Sequence, residues 1–414
     1  MYALFSMAVA LVALVVLLRL RIKIGRSMLI SALVLAALLH VGPVSFWQCL
    51  VNEWQTKPID QTTGYLFVTL TVLLTLVNVL GEAMHQTGVS HRLVPAMQGL
   101  FRSRRVGLAA IPLIMGMLPT PGGIMLSAPM VRDLGDHIGI SRTRAAAINY
   151  FFRHLWESVW PLFPAVPLIQ TMFGISALKL ISHNLAITTA GMLGGAIFLL
   201  GRGIPPKADT HKFAQRFATS LRGFFAAFWP IVIVAGLYAA FDIVPAIGVL
   251  AATVLFLVVH RVPFVRWRHI FRSAVEPDFA LLVLGALLFK VNLEAGGAVH
   301  DVVDFFYAVH IPSYLLIFLL PAVVAFLTGV TMPTVAITFP FLMPYIGTGN
   351  EAKMGLEVLA FAGTSVGILA TPVHLCLALS TSYFQASLPK IILKLLVPLA
   401  FIAAAGILMA LRQC

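Results

Sequence analysis

The stretch MLPTPGG, from Met117 to Gly123, interrupts an apolar run that extends from Val106 to Met130. Proline and glycine disfavour helix interiors, so each part of this run forms a helix shorter than the roughly 20 residues that cross a bilayer. A second run, from Pro312 to Met343, is interrupted in the same way by TGVTMPT, residues Thr328 to Thr334. Two short apolar helices around a polar break predict a re-entrant hairpin, which enters a membrane and returns to the same side.

The composition predicts an integral membrane protein around these hairpins. The chain has 414 residues, of which 60% are hydrophobic and 10% charged, and its mean hydropathy is +0.97. Soluble domains carry about 25% charged residues. Apolar runs long enough to cross a bilayer begin near Met1, Met28, Gly64, Ala145, Ala177, Phe224, Ile243, Phe279, Gly355 and Ile391. We therefore expect about ten crossings.

The basic residues separate onto one face when both interrupted runs are drawn as hairpins. Of the 28 Lys and Arg residues, 22 then fall on that face, in segments 19–26, 92–105, 132–144, 202–222, 261–272 and 390–394. The positive-inside rule makes this face cytoplasmic and places both termini on the opposite, extracytoplasmic face. This arrangement explains the net charge of +13 without a nucleic-acid partner, because the cations lie in short loops.

The two halves of the chain repeat. Pro333 follows Pro121 by 212 positions, and Pro372 follows Pro161 by 211. Each half holds five predicted crossings, an odd number, so the second copy is inverted in the membrane, as in many secondary transporters. The predicted fold is an all-α polytopic membrane protein of two inverted repeats of five transmembrane helices, each with a re-entrant helical hairpin and a broken helix.

The predicted boundaries follow from this repeat. They are a first repeat 1–201 with hairpin 106–134 and broken helix 145–172, a cytoplasmic basic linker 202–222, and a second repeat 223–414 with hairpin 312–345 and broken helix 355–385.

The hairpin tips are the first candidates for a substrate site. Backbone at a tip inside the membrane must face protein or a water-filled cavity, and the helix that follows directs free N–H groups toward an anion. We predict that both tips meet near the centre of the protein; the alternative is a pair of kinked transmembrane helices. The candidate substrate-binding residues at the tips are Pro119, Thr120, Pro121, Gly122, Gly123, Thr328, Gly329, Thr331, Pro333 and Thr334.

The first broken helix, NYFFRHLWESVWPLFPAVP (residues 149–167), carries four polar candidates, Asn149, Arg153, His154 and Glu157. Ionisable groups inside a membrane are costly and mark functional sites. We expect Asn149 and Arg153 to bind an anionic substrate and His154 or Glu157 to carry a coupled proton. Alternatively, Arg153 and Glu157, four residues apart on one helix face, form an intrahelical ion pair.

The second broken helix, FAGTSVGILATPVHL (residues 361–375), has hydroxyl groups instead of an acid or an arginine. His374 in this segment fits a packed core as well as a site. The candidate substrate-binding residues here are Thr364, Ser365 and Thr371.

The sequence contains no recognisable metal-binding or catalytic motif. Cys49, Cys376 and Cys414 lie far apart, with no CxxC or Cys/His ligand spacing, so the sequence predicts neither a disulfide nor a metal site. HExxH, GxSxG, Walker and dinucleotide-binding patterns do not occur in a usable context. We therefore expect no catalytic residue and no cofactor.

Two longer stretches resemble a known family. LPTPGGIMLSAPM (Leu118–Met130) and FRHLWESVWPLFP (Phe152–Pro164) resemble motifs of an uncharacterised prokaryotic integral membrane protein family within the ion transporter superfamily. That superfamily includes gluconate, citrate and dicarboxylate carriers, and the resemblance covers nearly the whole chain. It implies a scaffold and a transport domain in each half, an elevator movement and a homodimer. Sodium-coupled dicarboxylate members carry Ser-Asn-Thr at the tips, where this chain has Pro119-Thr120-Pro121 and Met332-Pro333-Thr334.

Taken together, these features predict a secondary active transporter of a small, carboxylate-like organic anion in the prokaryotic inner membrane. Alternating access of elevator type and symport with protons are expected. Protons are favoured over sodium because Arg153, His154 and Glu157 are ionisable whereas ligating Asn and Ser are scarce. The alternatives are an intramembrane enzyme or lipid-handling protein that uses His154 and Glu157, and a passive channel.

Overall fold

The computed structural model describes residues 2–117, 124–201, 204 and 213–413, and α-helices make up most of this part of the chain. The helices are α1 (Tyr2–Arg19), α2 (Ile24–Leu38), α3 (Pro43–Thr56), α4 (Thr63–Gln86), α5 (Val89–Leu100), α6 (Arg104–Gly116), α7 (Ile124–His137), α8 (Arg142–Arg153), α9 (Ala165–Phe173), α10 (Ala177–Phe198), α11 (Phe213–Phe241), α12 (Pro245–Val259), α13 (Phe264–Ala274), α14 (Pro277–Ala295), α15 (Ala298–Ala308), α16 (Ser313–Thr328), α17 (Thr331–Ile346), α18 (Met354–Ala370), α19 (Leu375–Phe384) and α20 (Leu388–Leu411).

Caps and helix-breaking residues set many of these boundaries. The hydroxyl groups of Ser141 and Ser176 accept hydrogen bonds from backbone N–H groups in the first turns of α8 and α10. Gly174 and Gly329 end α9 and α16 in the left-handed conformation, which glycine adopts without steric cost. Proline occupies the first turn of α3, α12, α14 and α20, where its missing N–H has no helical partner to lose.

Several helices are long and apolar enough to cross a membrane. Within the described residues, six spans meet this test, formed by α1, α4, α10, α11, α18 together with α19, and α20. Two bent pairs, α2 with α3 at 108° and α14 with α15 at 71°, raise the number to eight if each pair is one span. The prediction of an all-α polytopic membrane protein is confirmed. The predicted span near Ile243 corresponds to α12, which has only 15 residues.

The repeat predicted from the sequence pairs α1 to α10 with α11 to α20, in chain order. Some of the contacts between helices agree with this pairing. Helix α2 packs on α14 while its counterpart α12 packs on α4, and α6 packs on α8 as α16 packs on α18. In the first of these contacts a helix of one half packs on a helix of the other, and the equivalent contact has the two halves interchanged, as expected for two copies related by a two-fold axis. The inverted placement of the copies in the membrane stays a prediction.

The second hairpin reverses the chain. Gly363 on α18 packs against the carbonyl of Phe318, and Thr371 donates a hydrogen bond to the carbonyl of Phe326 farther along α16. Contact positions therefore increase together along α16 and α18, so these helices run parallel. Helix α17 lies between them in sequence and must return the chain to the end where α18 begins. The predicted hairpin 312–345 is thus a pair of antiparallel helices with its bend at Gly329 and Val330.

The first hairpin has the same construction. Helices α6 and α7 pack together, with Gly107 facing the side chain of Leu134, so their distal ends are adjacent. Helix α7 then runs antiparallel to α8, because Ser127 near its start donates a hydrogen bond of 2.6 Å to Asn149 near the end of α8. The tip of this hairpin, Leu118 to Gly123, lies outside the described residues.

The two regions predicted as broken helices each contain two helices separated by a short non-helical segment. The first consists of α8, which ends at Arg153, a segment of turns, and α9, which begins at Ala165. The second consists of α18 and α19, separated by residues 371–374. Each break exposes backbone groups that a continuous helix would satisfy internally.

Aromatic side chains form part of the core that joins the halves. The ring of Phe173 on α9 lies 6.1 Å from that of Phe339 on α17, and Phe339 lies 6.5 Å from Phe361 on α18. All three side chains are buried, and their edge-to-face arrangement is the favourable one for aromatic pairs. Elements of the first half are thereby packed against the hairpin and broken helix of the second.

Contacts at the helix ends agree with the predicted sorting into two faces. Arg142 donates a hydrogen bond of 2.8 Å to Gln385, and both residues belong to the end predicted as cytoplasmic. Lys179 donates one of 3.2 Å to the carbonyl of Gly349, and both belong to the opposite end. The identity of the cytoplasmic face stays a prediction.

Candidate functional site

A cavity of about 880 Å³ lies where the second hairpin and both helix breaks come together. Residues of α1, α4 and α14 complete its wall. Its volume is within the range of about 300–1,000 Å³ that is typical of small-molecule sites. The bend of the second hairpin, from Leu327 to Met332, and the second helix break, from Pro372 to Cys376, both line it.

Among the helices that begin at the wall of this cavity, three belong to the second hairpin and the two helix breaks. Helix α9 starts at Ala165, α17 at Thr331 and α19 at Leu375, and each of these residues lines the cavity. The first N–H groups of a helix have no partner within the helix, and the helix dipole adds a partial positive charge there. The cavity wall is therefore electrostatically suited to a negatively charged ligand.

Arg153 adds a full positive charge to this wall. It is the last residue of α8 and is buried, with 5% of its surface exposed. Its Nη1 donates a hydrogen bond of 2.7 Å to the carbonyl of Met115 on α6. The Cys376 thiol lies beside the same guanidinium. These contacts hold the Arg153 side chain between the first hairpin and the second broken helix.

Glu157 connects the two halves at the cavity. The Thr331 hydroxyl donates a hydrogen bond to Glu157 Oε2, and Glu157 Oε1 lies 3.9 Å from His154 Nε2. Helix α8 ends at Arg153, so Arg153 and Glu157 do not share an α-helical face. The helix unwinds between the two residues, so they are not separated by one turn of a continuous helix as in an ordinary i,i+4 pair.

Two histidines face each other across the breaks. His154 Nε2 and His374 Nε2 are 3.0 Å apart. His154 Nδ1 lies 2.6 Å from the carbonyl of Tyr150, and His374 Nδ1 lies 2.6 Å from the carbonyl of Gly329. A carbonyl only accepts, so both Nδ1 atoms carry a hydrogen and both Nε2 atoms of neutral rings present lone pairs. A proton on one of the two Nε2 atoms, or a metal ion bound by both, would make this contact favourable.

The structure brings together only some of the predicted site residues. Those that line the cavity are Arg153, His154, Glu157, Thr328, Gly329 and Thr331. The first tip, Pro119, Thr120, Pro121, Gly122 and Gly123, lies outside the described residues.

The remaining candidates do not line the cavity, and most have hydrogen bonds inside the protein. Asn149 bonds Ser127, Thr334 bonds the carbonyl of Val330, and Thr371 bonds that of Phe326. Thr364 and Ser365 bond carbonyls one turn back in α18, and Pro333 is buried in the first turn of α17.

Sequence reasoning missed several residues of the wall. From the sequence, His374 fits a packed core as well as a site and Cys376 has no predicted role, yet both line the cavity beside His154 and Arg153. Asn78 and the basic residues Arg19 and Arg21 also line it. The proline break at residues 371–374 could have indicated His374, since a side chain next to a broken helix in a membrane has few apolar alternatives.

Comparison with known structures supports the fold. The structure is similar to the crystal structure of the YdaH transporter from Alcanivorax borkumensis, with a TM-score of 0.54 and 15% sequence identity over 87% of this chain and 88% of that chain. At this identity the likeness concerns the fold alone. No curated protein matches the sequence.

The comparison of the sequence with protein families gives one match that spans nearly its whole length. The matching family is described as a protein of unknown function, DUF401, and the match runs from residue 2 to residue 412. The chain therefore belongs to the DUF401 family of proteins of unknown function.

Proposed function

We propose that this protein is a secondary transporter that carries a small, carboxylate-like organic anion through the cavity between its halves, and that it is a member of the ion transporter superfamily. The observation that carries the proposal is the convergence of three helix N-termini and the buried Arg153 on one cavity. Aligned N–H groups and a guanidinium are the two protein groups best suited to a carboxylate.

The balance of charge in the cavity supports an anion. Besides Arg153, the wall includes Arg19 and Arg21, and its described carboxylate, Glu157, already accepts a hydrogen bond from Thr331. An arginine can bind both oxygens of a carboxylate at once, which fixes the ligand's orientation as well as its charge. Most of the remaining wall is apolar, as in other small-molecule sites.

Alternating access is the second part of the proposal. The cavity reaches Arg19 and Arg21, which lie in the segment predicted to be cytoplasmic, so we assign this conformation to an inward-facing state. The second hairpin and the two broken helices would form the moving part, against a scaffold that includes α2, α4, α12 and α14. An elevator movement in a homodimer of the inner membrane, coupled to protons, completes the proposal.

Purified protein in lipid vesicles tests it. A panel of radiolabelled mono-, di- and tricarboxylates is assayed for saturable uptake and for counterflow with and without an imposed pH gradient. Saturable uptake that an internal pool of the same acid accelerates identifies a carrier. Flux that neither saturates nor shows counterflow identifies a channel, and chemical conversion of the compound identifies an enzyme; either result overturns the proposal.

Arg153→Gln and Arg153→Lys test the assigned anion contact. We expect Arg153→Gln to abolish counterflow and Arg153→Lys to retain part of it, because lysine keeps the charge but not the planar pair of donors. Arg268→Gln, at an exposed position of α13, is the matched control for loss of one arginine. Unchanged counterflow in a folded Arg153→Gln protein removes Arg153 from the site.

A further inference from the structure

Three potential metal ligands meet at the wall of the cavity. His154, His374 and Cys376 each offer one ligand atom, and these atoms all lie within 4.8 Å of one another. They come from the two helix breaks, one in each half of the chain. We propose that these three side chains bind one divalent transition-metal ion of the zinc class. This inference rests on their geometry and is independent of the proposed anion transport.

The histidines are oriented as metal ligands usually are. Metal-binding histidines commonly donate the hydrogen of one ring nitrogen to a carbonyl or carboxylate and bind the ion with the other nitrogen. His154 does this through Tyr150, and His374 through Gly329, each at 2.6 Å. These two partners fix both rings, and the two Nε2 atoms lie 3.0 Å apart.

The separation of the two histidine nitrogens fits a single ion. Zinc binds histidine nitrogen at about 2.0–2.1 Å, so two nitrogens of a tetrahedral site lie about 3.3 Å apart. The observed separation of the Nε2 atoms is 3.0 Å. Without a cation, two lone pairs would face each other at this distance. A bound ion removes that repulsion and uses both nitrogens.

The donor types determine the class of ion. Two imidazoles and one thiolate are preferred by zinc and cobalt(II) over magnesium or calcium, which favour oxygen ligands. Glu157 Oε1, at 3.9 Å from His154 Nε2, is close enough to supply a fourth ligand after a small movement. The site would thus resemble a closed tetrahedral centre of mixed nitrogen, sulfur and oxygen ligands.

Such an ion would hold elements of both halves together. His154 follows α8 of the first half, whereas His374 and Cys376 flank the start of α19 in the second. Through Gly329, His374 also holds the bend of the second hairpin. One ion would therefore crosslink both helix breaks and the hairpin at the cavity.

Metal binding by the full-length protein in detergent is the first test. The protein is treated with a chelator, then titrated with Co²⁺ and followed by its visible spectrum. We expect one Co²⁺ per chain, with tetrahedral absorption bands and a sulfur-to-cobalt charge-transfer band. Zn²⁺ should displace it. Absence of stoichiometric binding overturns the proposal and leaves a shared proton as the cation between the histidines.

Variants assign the ligands. Cys376→Ser should lose the charge-transfer band, and His374→Gln should lose Co²⁺ binding. Cys49→Ser and His260→Gln, which replace the same residue types outside the cavity, should leave both signals unchanged. A charge-transfer band that persists in Cys376→Ser overturns the assignment of the sulfur ligand.

An alkylation experiment avoids any risk that the variants misfold. The metal-free wild-type protein is treated with a maleimide with and without Zn²⁺, and the modified peptides are quantified by mass spectrometry. Zn²⁺ should protect Cys376 and leave Cys49 unaffected. Equal modification of Cys376 in both samples overturns the proposal. Counterflow of the anion is assayed separately, so loss of metal binding with intact anion transport contradicts only the metal site.

Discussion

The Thr331 hydroxyl donates a hydrogen bond to the Glu157 carboxylate, although the two residues are 174 positions apart. Thr331 is the first residue of α17, at the bend of the second hairpin, and Glu157 lies in the break between α8 and α9. Since both residues line the cavity, this bond connects the two halves at the place where a substrate would bind.

Removing the Thr331 hydroxyl should weaken the contact between the two halves. Thr331→Val keeps the shape of the side chain and eliminates the donor, so we expect a loss of about 1.5–3 kcal/mol, the usual contribution of a hydrogen bond to a charged group. Thr331→Ser should stay near wild type. The measurement is the thermal unfolding midpoint in detergent. Thr189→Val, at an exposed position whose hydroxyl bonds within α10, is the control and should show little change. Equal midpoints for Thr331→Val and the wild type would contradict the assigned bond.

A buried ionic cluster near one end of α14 should be important for stability. Lys290 Nζ lies 2.8 Å from Glu53 and 3.1 Å from Glu294, and the side chains of Lys290 and Glu53 are 4% and 3% exposed. Lys57 Nζ also lies 3.0 Å from Glu53 but is 37% exposed, so without Lys290 it would compensate the buried carboxylate only in part. Breaking a buried pair by removing one partner costs about 3–5 kcal/mol. We expect Lys290→Met to lower the unfolding midpoint strongly.

The exposed pair Lys23–Glu276 is the matched comparison for this cluster. Its nitrogen and oxygen are 2.6 Å apart, but the side chains are 59% and 42% exposed. Exposed ion pairs contribute about 0–1 kcal/mol, so Lys23→Met should change the midpoint little. If Lys23→Met were as destabilising as Lys290→Met, burial would not explain the effect.

The sequence predicted the elements around the site better than the contacts within it. Proline and glycine at fixed positions marked both hairpins and both helix breaks, because backbone geometry there depends on a few neighbouring residues. The contact between Lys290 and Glu294 is local, since the two residues lie four positions apart on one helix. The contact between Lys290 and Glu53 spans 237 positions, and no local pattern in the sequence indicates it.

The cavity wall also shows that contacts between residues far apart in the chain are hard to predict from the sequence. Arg153 and Glu157 were candidates because ionisable residues in a membrane are conspicuous. His374 and Cys376 lie among apolar residues in the sequence. Only the folded chain brings them close to His154, which is 220 positions away from His374. The predicted hydroxyl ligands Thr364 and Ser365 instead bond their own helix, as threonine and serine in membrane helices commonly do.

Close packing at Gly116 should position Arg153. A Cβ atom at this glycine would clash with the carbonyl oxygen of Arg153, so α6 and α8 can approach only because the side chain is absent. Gly116→Ala should push the helices apart, displace Arg153 and reduce anion counterflow. Gly236→Ala, in α11, is the control, since its Cβ would meet nothing within 4 Å and alanine favours a helix. Normal counterflow in Gly116→Ala would show that this packing is not required for transport.

Glu357 and Asn184 form a buried pair in which two oxygen atoms accept no hydrogen bond from the described residues. Asn184 Nδ2 donates a hydrogen bond of 3.2 Å to Glu357 Oε1, whereas Glu357 Oε2 and Asn184 Oδ1 have no partner among the described residues. Glu357→Gln supplies an N–H group that can complete the pair, so we expect an equal or higher unfolding midpoint. Glu357→Leu leaves Asn184 unsatisfied and should be destabilising by about 1–3 kcal/mol. The reverse order of the two variants would contradict this account.

Equivalent loops of the two halves should face opposite sides of the membrane. Asp136 lies near the end of α7, and Glu351 lies between α17 and α18, the counterparts of α7 and α8 in the second half. Both residues are exposed. In a background where Cys49, Cys376 and Cys414 are replaced by serine, a membrane-impermeant maleimide added to intact cells should label Glu351→Cys at once. Asp136→Cys should react only after permeabilisation, because inversion places the first loop in the cytoplasm. Labelling of both positions from the same side would mean that the copies are oriented alike. The two hairpins would then enter from one face, and their bends could not converge from opposite sides on the cavity that holds Arg153.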